Sequence, residues 1–327
     1  MRAWRVEELG HPSVSLELQE IPDPEPGPGQ VRVRVEAGTV NFADILLCQG
    51  TYQDRPGVPL TPGLETCGTV EAVGDGVDLA VGVRVAGMSA LPAGGYAEKA
   101  LVKAAGAVEI PDDVAATDAT VLYSTYQTSH VGLHHRAGLA AGEWLLVLAA
   151  AGGVGSAAVQ LGVAAGARVI AVAGGADKAA YCRSLGAEAV LDHRVDDVPA
   201  EVRRLTGGRG VDVAYDPVGG ALGSELRRLM AWEGRLLVIG FASGDIPSYP
   251  ANHVLVKNYS ILGLHWGAYI EHGGGPVIEA AHQDLVRLYR EGRLRPEVTV
   301  VDGLEGIPDA LEALGGGRVT GRLVLRP

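Results

Sequence analysis

The residues able to do chemistry in this chain gather at a few glycine-marked places. The segment AAAGGVG (Ala149–Gly155) follows an apolar run and opens a helix-like one. Glycines at such a junction let backbone N–H groups close on a diphosphate, and a helix N-terminus favours the anion. The spacing is G-G-x-G, an approximation to the G-x-G-x-x-G of dinucleotide folds, so its weight comes from the strand–turn–helix order around it. The next strand ends VAGGADK (Val172–Lys178), with Gly174 and Gly175 where an NAD-preferring fold carries an acid for the ribose 2′-OH. Lys178 follows, and His193 and Arg194 end the third strand. Neutral glycines beside cations suit a 2′-phosphate, hence NADP. Asp177, an acid one step out of place, and a merely solvated Lys178 are the competing readings.

Elements must position these residues, and the sequence shows two rhythms. Up to about residue 100 the chain is short-stranded and turn-punctuated. Val31, Val33 and Val35 alternate with Arg32 and Arg34, the pattern of a half-buried strand. Ile21–Gln30 is a Pro/Gly-rich connector unfit for a helix or a central strand. NFADILLCQG (Asn41–Gly50) reads as a short inserted helix. From about Leu139, strands alternate with helices: Trp144–Ala150, Ala167–Ala173, Ala189–Asp192, Val211–Gly219 and Arg235–Phe241 are strand-like, with helical segments between them. One such helix is expected at ELRRLMAWEG, Glu225–Gly234. This alternation implies βαβ units and a parallel sheet. A strand over Tyr259–Trp266, an amphipathic helix over Ile278–Arg293 and two closing strands follow, the last able to return to the first domain.

Composition bounds the partners. A chain of 327 residues corresponds to about two domains at roughly 150 residues each. Hydrophobic residues at 47% and charged residues at 20% give a globular balance. A net charge of −12 with no basic patch speaks against nucleic acid. Trp144–Ala167 is uncharged, but its glycines favour a strand, a turn and a buried helix over a membrane span. The N-terminus has no apolar core of a secretory signal. Cys48, Cys67 and Cys182 form no CxxC pair, which argues against a disulfide scaffold and fits a reducing, cytoplasmic setting.

Taken in order, AAAGGVG, DPVGG, VIGFASGDIP and GLHWGAY resemble the zinc-independent, zeta-crystallin-like quinone oxidoreductases of the medium-chain dehydrogenase/reductase superfamily. NFAD, GTYQDRP, PGLETCGTVEAVG and GGYAEKALV extend the resemblance through the N-terminal half. It implies an α/β chain with a Rossmann doubly wound parallel sheet inserted in a GroES-like β-rich catalytic domain. The expected boundaries are 1–123 and 267–327 for the catalytic domain and 124–266 for the Rossmann domain. It also implies NADPH as hydride donor, a homodimer, and a quinone or enone as acceptor.

Carried over residue by residue, the resemblance places Asn41 and Thr128 near the nicotinamide and makes Tyr52 the active-site tyrosine. Gly152, Gly153 and Val154 would meet the diphosphate. Phe241, Ala242 and Ser243, with the run Leu264–Trp266, would line the nicotinamide ribose and carboxamide. Gly174, Lys178 and His193 would hold the 2′-phosphate, with Arg318 and Arg322 as further candidates for that pocket. Asn41 stands where zinc-dependent relatives carry a cysteine ligand, and Leu64 where they carry a histidine. Zinc needs about four N, S or O ligands, and no such set is visible. His134 and His135 read as a solvated helix end. An enone or quinone delocalises the incoming charge by itself, so reduction without metal is the expected activity. Tyr52 or Asn41 would donate to the developing oxyanion. Reduction of a 2-enoyl thioester and a non-catalytic, crystallin-like role are the alternatives.

Overall fold

The computed structural model describes residues 1–327, which form two compact units. The first comprises Met1–Ser124, Ile270–His282 and Pro296–Pro327; the second, Thr125–Tyr269 and Gln283–Arg295. The expected domain boundaries fall close to the first two breaks, but residues 283–295, assigned from sequence to the catalytic part, group with the second unit.

The alternating valines organise the first unit. Val31 and Val33 are fully buried and pack with Val70, Val85, Ala100 and Val102. Each buried valine contributes on the order of 1.5–3 kcal/mol of transfer free energy. Their strand, Gln30–Thr39, pairs antiparallel with Glu65–Val73 and with Lys99–Lys103. The C-terminal strand Arg322–Arg326 also joins it, in the register Val324↔Thr39, and carries Val298–Asp302 on its outer side. The chain end therefore delivers Arg322 beside the end of the strand that leads into Asn41. The helix Phe42–Cys48 starts at Asn41, whose backbone N–H donates to Asp44 Oδ2 at 2.9 Å.

The second unit is a six-stranded, wholly parallel sheet. Its order is Ala189–Asp192, Arg168–Ala173, Trp144–Val147, Val211–Asp216, Met230–Val238 and Ser260–Gly263. This is the doubly wound order, and its switch point lies between Trp144–Val147 and Val211–Asp216, where such sheets bind ligands at the strand C-termini. Leu146, Ile170, Val172, Val211 and Leu236 form its core, as a sheet covered on both faces requires.

Two expectations are corrected here. The helix expected at Glu225–Gly234 ends at Leu226 in Gly220–Leu226, and Met230 begins a strand paired with Val211. The apolar spacing of Leu226, Leu229 and Met230 suits a helix, but burial in the sheet core takes these residues instead. Glu233 adopts a left-handed φ of 58° where that strand leaves regular register. The strand expected over Tyr259–Trp266 pairs only at Ser260–Gly263. The uncharged Trp144–Ala167 run resolves into a strand, a turn and the helix Gly153–Ala164, and no helix is long and apolar enough to cross a membrane.

Candidate functional site

In the second unit, the turn after Trp144–Val147 is built for close approach. Leu148 N donates to Tyr215 O (3.0 Å) and Ala150 N to Val172 O (2.9 Å), so the turn is pinned to both neighbouring strands. Ala149 takes a left-handed φ of 47°. The glycines differ in role. A Cβ on Gly155 would lie 2.1 Å from Ala149 O, so this position sets the closeness of helix to turn. Gly152 caps the helix Gly153–Ala164, whose first turn carries no acidic side chain. The N–H groups of that first turn lack intrahelical partners and, with the helix dipole, face an anion favourably.

Beside the end of the next strand, Arg168–Ala173, lie His193 and Arg194, which follow the strand Ala189–Asp192. A Cβ on Gly174 would lie 2.6 Å from His193 Nε2 and 2.9 Å from Arg194 Nε, so the missing side chain makes room for both. A serine here would displace them. Gly175, at φ +93°, donates its N–H to Asp192 Oδ2 (3.0 Å), and Arg194 N donates to Asp192 Oδ1 (3.0 Å). These two backbone donors, Arg194 N first, hold the Asp192 carboxyl below its ordinary range. Lys178 lies in the first turn of the helix Ala176–Ser184 that follows. Gly174 and His193 are thus brought together as expected, and Arg194 joins them. The sequence already sets it beside His193 at the end of the third strand. Its steric claim on Gly174 requires the fold.

Thr128 occupies a short helical turn, Gln127–His130, flanked by two π-helical turns. Its neighbour Ser129 donates to Val154 O (2.8 Å) and bonds Tyr215 OH (2.9 Å), tying this turn to the glycine loop. Asp216 Oδ1 accepts from Val218 N and Gly219 N at 2.9 and 2.8 Å, while burial raises its carboxyl. Phe241–Ser243 closes over this turn: Phe241 Cδ1 lies 3.1 Å from where a Gly219 Cβ would be, and Ser243 Oγ donates to Val218 O at 2.7 Å. Leu264 N donates to Val238 O (3.1 Å), and Trp266 starts a single 3-10 turn. His134 is corrected: it is half-buried, edge-on to His130 at 4.7 Å, and burial pushes it down to about 4. His130 in turn meets Asp284 at 2.9 Å.

The first unit holds a buried polar cluster around Asn41. Its Nδ2 donates to Glu65 Oε2 (2.6 Å) and to Thr39 Oγ1 (3.0 Å), and Thr39 Oγ1 donates to the same Glu65 oxygen (2.5 Å). Both amide hydrogens are thereby spent, so the expected donation by Asn41 to an oxyanion has no hydrogen left to make it. Asn41 Oδ1 accepts from Arg322 Nη2. Arg322 and Arg318, both expected at the 2′-phosphate, belong to the first unit, where Arg322 donates to Asn41 and the exposed Arg318 pairs with Glu312 at 3.4 Å. Asp44 is fully buried and accepts from Gly63 N, Leu64 N, Asn41 N and Tyr96 Oη. Burial first, then Glu65, raises it to about 6. Tyr52 packs partly buried with Leu47, Leu60 and Leu64, outside the Asn41 hydrogen-bond set. Burial, then the charges of Glu65, Asp54 and Asp44, push its phenol up.

A resident metal does not fit this cluster. Leu64 offers only hydrocarbon, the Asn41 amide is turned to Glu65 and Arg322, and no three His, Cys, Asp or Glu side chains converge. The three cysteines are buried, and burial pushes their thiols up to about 12, 12 and 11 for Cys48, Cys67 and Cys182. An NADP dinucleotide does fit the second unit, on the glycine turn and the cation-lined strand end.

Residues 27–112 match the alcohol dehydrogenase GroES-like domain family, and residues 153–280 the zinc-binding dehydrogenase family. The chain is 37% identical over 326 residues to quinone oxidoreductase-like protein 2 of Mus musculus, covering 99% of this chain and 91% of that one. A mycobacterial protein solved in complex with NADPH matches with a TM-score of 0.92 at 31% identity, across the whole of both chains. The CurK enoyl reductase matches with a TM-score of 0.86 at 27% identity, covering 99% of this chain and 98% of that one.

Proposed function

The chain belongs to the zeta-crystallin-like quinone oxidoreductase family of the medium-chain dehydrogenase/reductase superfamily, and from that premise we propose that it is an NADPH-dependent reductase of quinones and related α,β-unsaturated carbonyls that works without zinc. The observation that carries this reading is the first-unit cluster. An amide and a leucine stand at the two ligand positions, and the neighbouring carboxylates are committed to hydrogen bonds. An acceptor that conjugates its own incoming charge needs no Lewis acid there.

Bound NADPH supplies a hydride. The chain's own part is to hold, orient and exclude water. The glycine turn and the first turn of Gly153–Ala164 would carry the diphosphate. His193, Arg194 and Lys178 would meet the 2′-phosphate, and Ser129 fixes Thr128's turn against Val154. Tyr52, kept protonated by its raised phenol, would donate to the acceptor as charge develops.

The experiment is NADPH oxidation by the purified chain with a panel of quinones, enones and 2-enoyl thioesters. Rapid turnover of quinones or enones is the expected result. Exclusive use of enoyl thioesters would favour the second reading, which the likeness to an enoyl reductase supports. No turnover with any acceptor would leave a nucleotide-binding, crystallin-like protein.

A further inference from the structure

In the first unit, Arg322 has no carboxylate at ion-pair distance although part of its guanidinium is shielded from solvent. Arg2, Arg32, Arg84 and Arg326 each meet a carboxylate within about 3.3 Å. Arg322 does not. Its Nη2 donates to Asn41 Oδ1, and its Nε is shielded from solvent without an acceptor. Glu65 and Asp44 act on it through space only. Burying a cation without a partner costs free energy, and arginine does not escape by losing its proton. The side chain is anchored at both ends: its backbone N–H donates to Glu297 O (2.9 Å), and Asn41 holds one terminal nitrogen.

The neighbours sharpen the point. Asn41 has given both hydrogens to Glu65 and Thr39. Around Asn41, the group with hydrogens left to give is Arg322, whose planar fork suits an oxygen carrying negative charge.

We propose that Arg322 receives the carbonyl oxygen of the acceptor and stabilises the negative charge that reduction places on it. The proposal rests on the reading of the chain as a reductase of conjugated carbonyls. For an enone, a C–H bond forms at the β-carbon with the hydride of NADPH, which is oxidised to NADP⁺. The C=C electrons shift so that the carbonyl oxygen becomes an enolate oxygen, and this is the anion that meets Arg322. A proton from water or Tyr52 at the α-carbon then gives the saturated ketone. Asn41 acts as a positioning residue, holding the guanidinium through its carbonyl oxygen.

The test uses the full chain with Arg322→Gln and Arg322→Lys, and first a probe that needs no redox chemistry. 4-Nitrophenol changes absorbance on ionisation, so its apparent pKa can be read when it is bound. Wild type is expected to favour the phenolate about tenfold, lowering the bound dye's pKa by about one unit. Arg322→Gln should abolish the shift, and Arg322→Lys, which keeps the charge, should retain part of it. No dye binding by wild type, or an equal shift in Arg322→Gln, overturns the proposal. If Arg322→Gln does not fold, the lysine variant decides: an unaltered wild-type shift there shows that the guanidinium fork is not the receiving group.

In a second arm, Arg322→Gln should lower kcat/KM for an enone by about 100-fold. Its NADPH affinity and NADPH-over-NADH preference should stay as in wild type. Loss of that preference would place Arg322 at the cofactor's 2′-phosphate and overturn the proposal. If wild type turns over no quinone or enone, the reductase reading fails, whereas the dye arm still tells whether Arg322 binds an oxyanion.

Discussion

The space beside Gly174 is filled by the His193 ring and the Arg194 guanidinium, which turns an apparently empty strand end into a cationic one. Lys178→Ala and Arg194→Ala should each weaken NADPH binding about tenfold, roughly 1.4 kcal/mol, and NADH binding much less. Titration of both cofactors checks this, and equal losses for the two would remove these residues from the 2′-phosphate. Tyr52 carries a second expectation. Burial keeps its phenol protonated through neutral pH, so its role as donor needs no titration near working conditions. Tyr52→Phe should lower kcat about tenfold for a slow enone and less for a reactive quinone, with NADPH affinity unchanged. Unchanged kcat on the enone would leave protonation to solvent. Legibility at this scale was uneven. His193 and Gly174 stand out by type and place in the chain. The partner of Arg322 does not, because Asn41 lies 281 positions away and only the returning strand joins them.

Among the elements, the helix Phe42–Cys48 is tied to the 63–64 turn through one carboxylate, Asp44. Its folded pKa of about 6 lies above the ordinary 3.8, so the folded chain holds this proton more tightly than the unfolded one. Stability from this group is therefore greatest below about pH 4 and declines as pH rises through about 6, at up to about 1.4 kcal/mol per unit. Denaturant unfolding of wild type and Asp44→Asn across that window should show wild type losing ground to the variant as pH rises. A difference that stays constant with pH would contradict it. The strand Ser260–Gly263 is another case: it pairs with Met230–Val238 on one side only, and Ile261 is 37% exposed. An open edge of this kind invites pairing. We expect a homodimer through it, and Ile261→Lys should sediment as a monomer; wild type sedimenting as a monomer at micromolar concentration would dismiss the idea. Periodicity made the βαβ units legible because each strand and helix is specified locally. It failed at Met230–Val238, where a helical spacing of apolar residues is overridden by the sheet core.

For the molecule as a whole, chemistry is divided between two units with different logic. The second is a nucleotide scaffold whose parallel strands follow from sequence alternation, whereas their order appears only in the folded sheet. The first is a β-rich body closed by its own C-terminal strands, where a buried amide and carboxylate gather with a partly buried guanidinium. The central claim is that this arrangement passes hydride from NADPH to a conjugated carbonyl without zinc. The most direct measurement is the rate of NADPH oxidation by a quinone before and after exhaustive chelation, with zinc per chain determined on the same samples. The account predicts no stoichiometric zinc and an unchanged rate. One zinc per chain, lost together with activity, would contradict it.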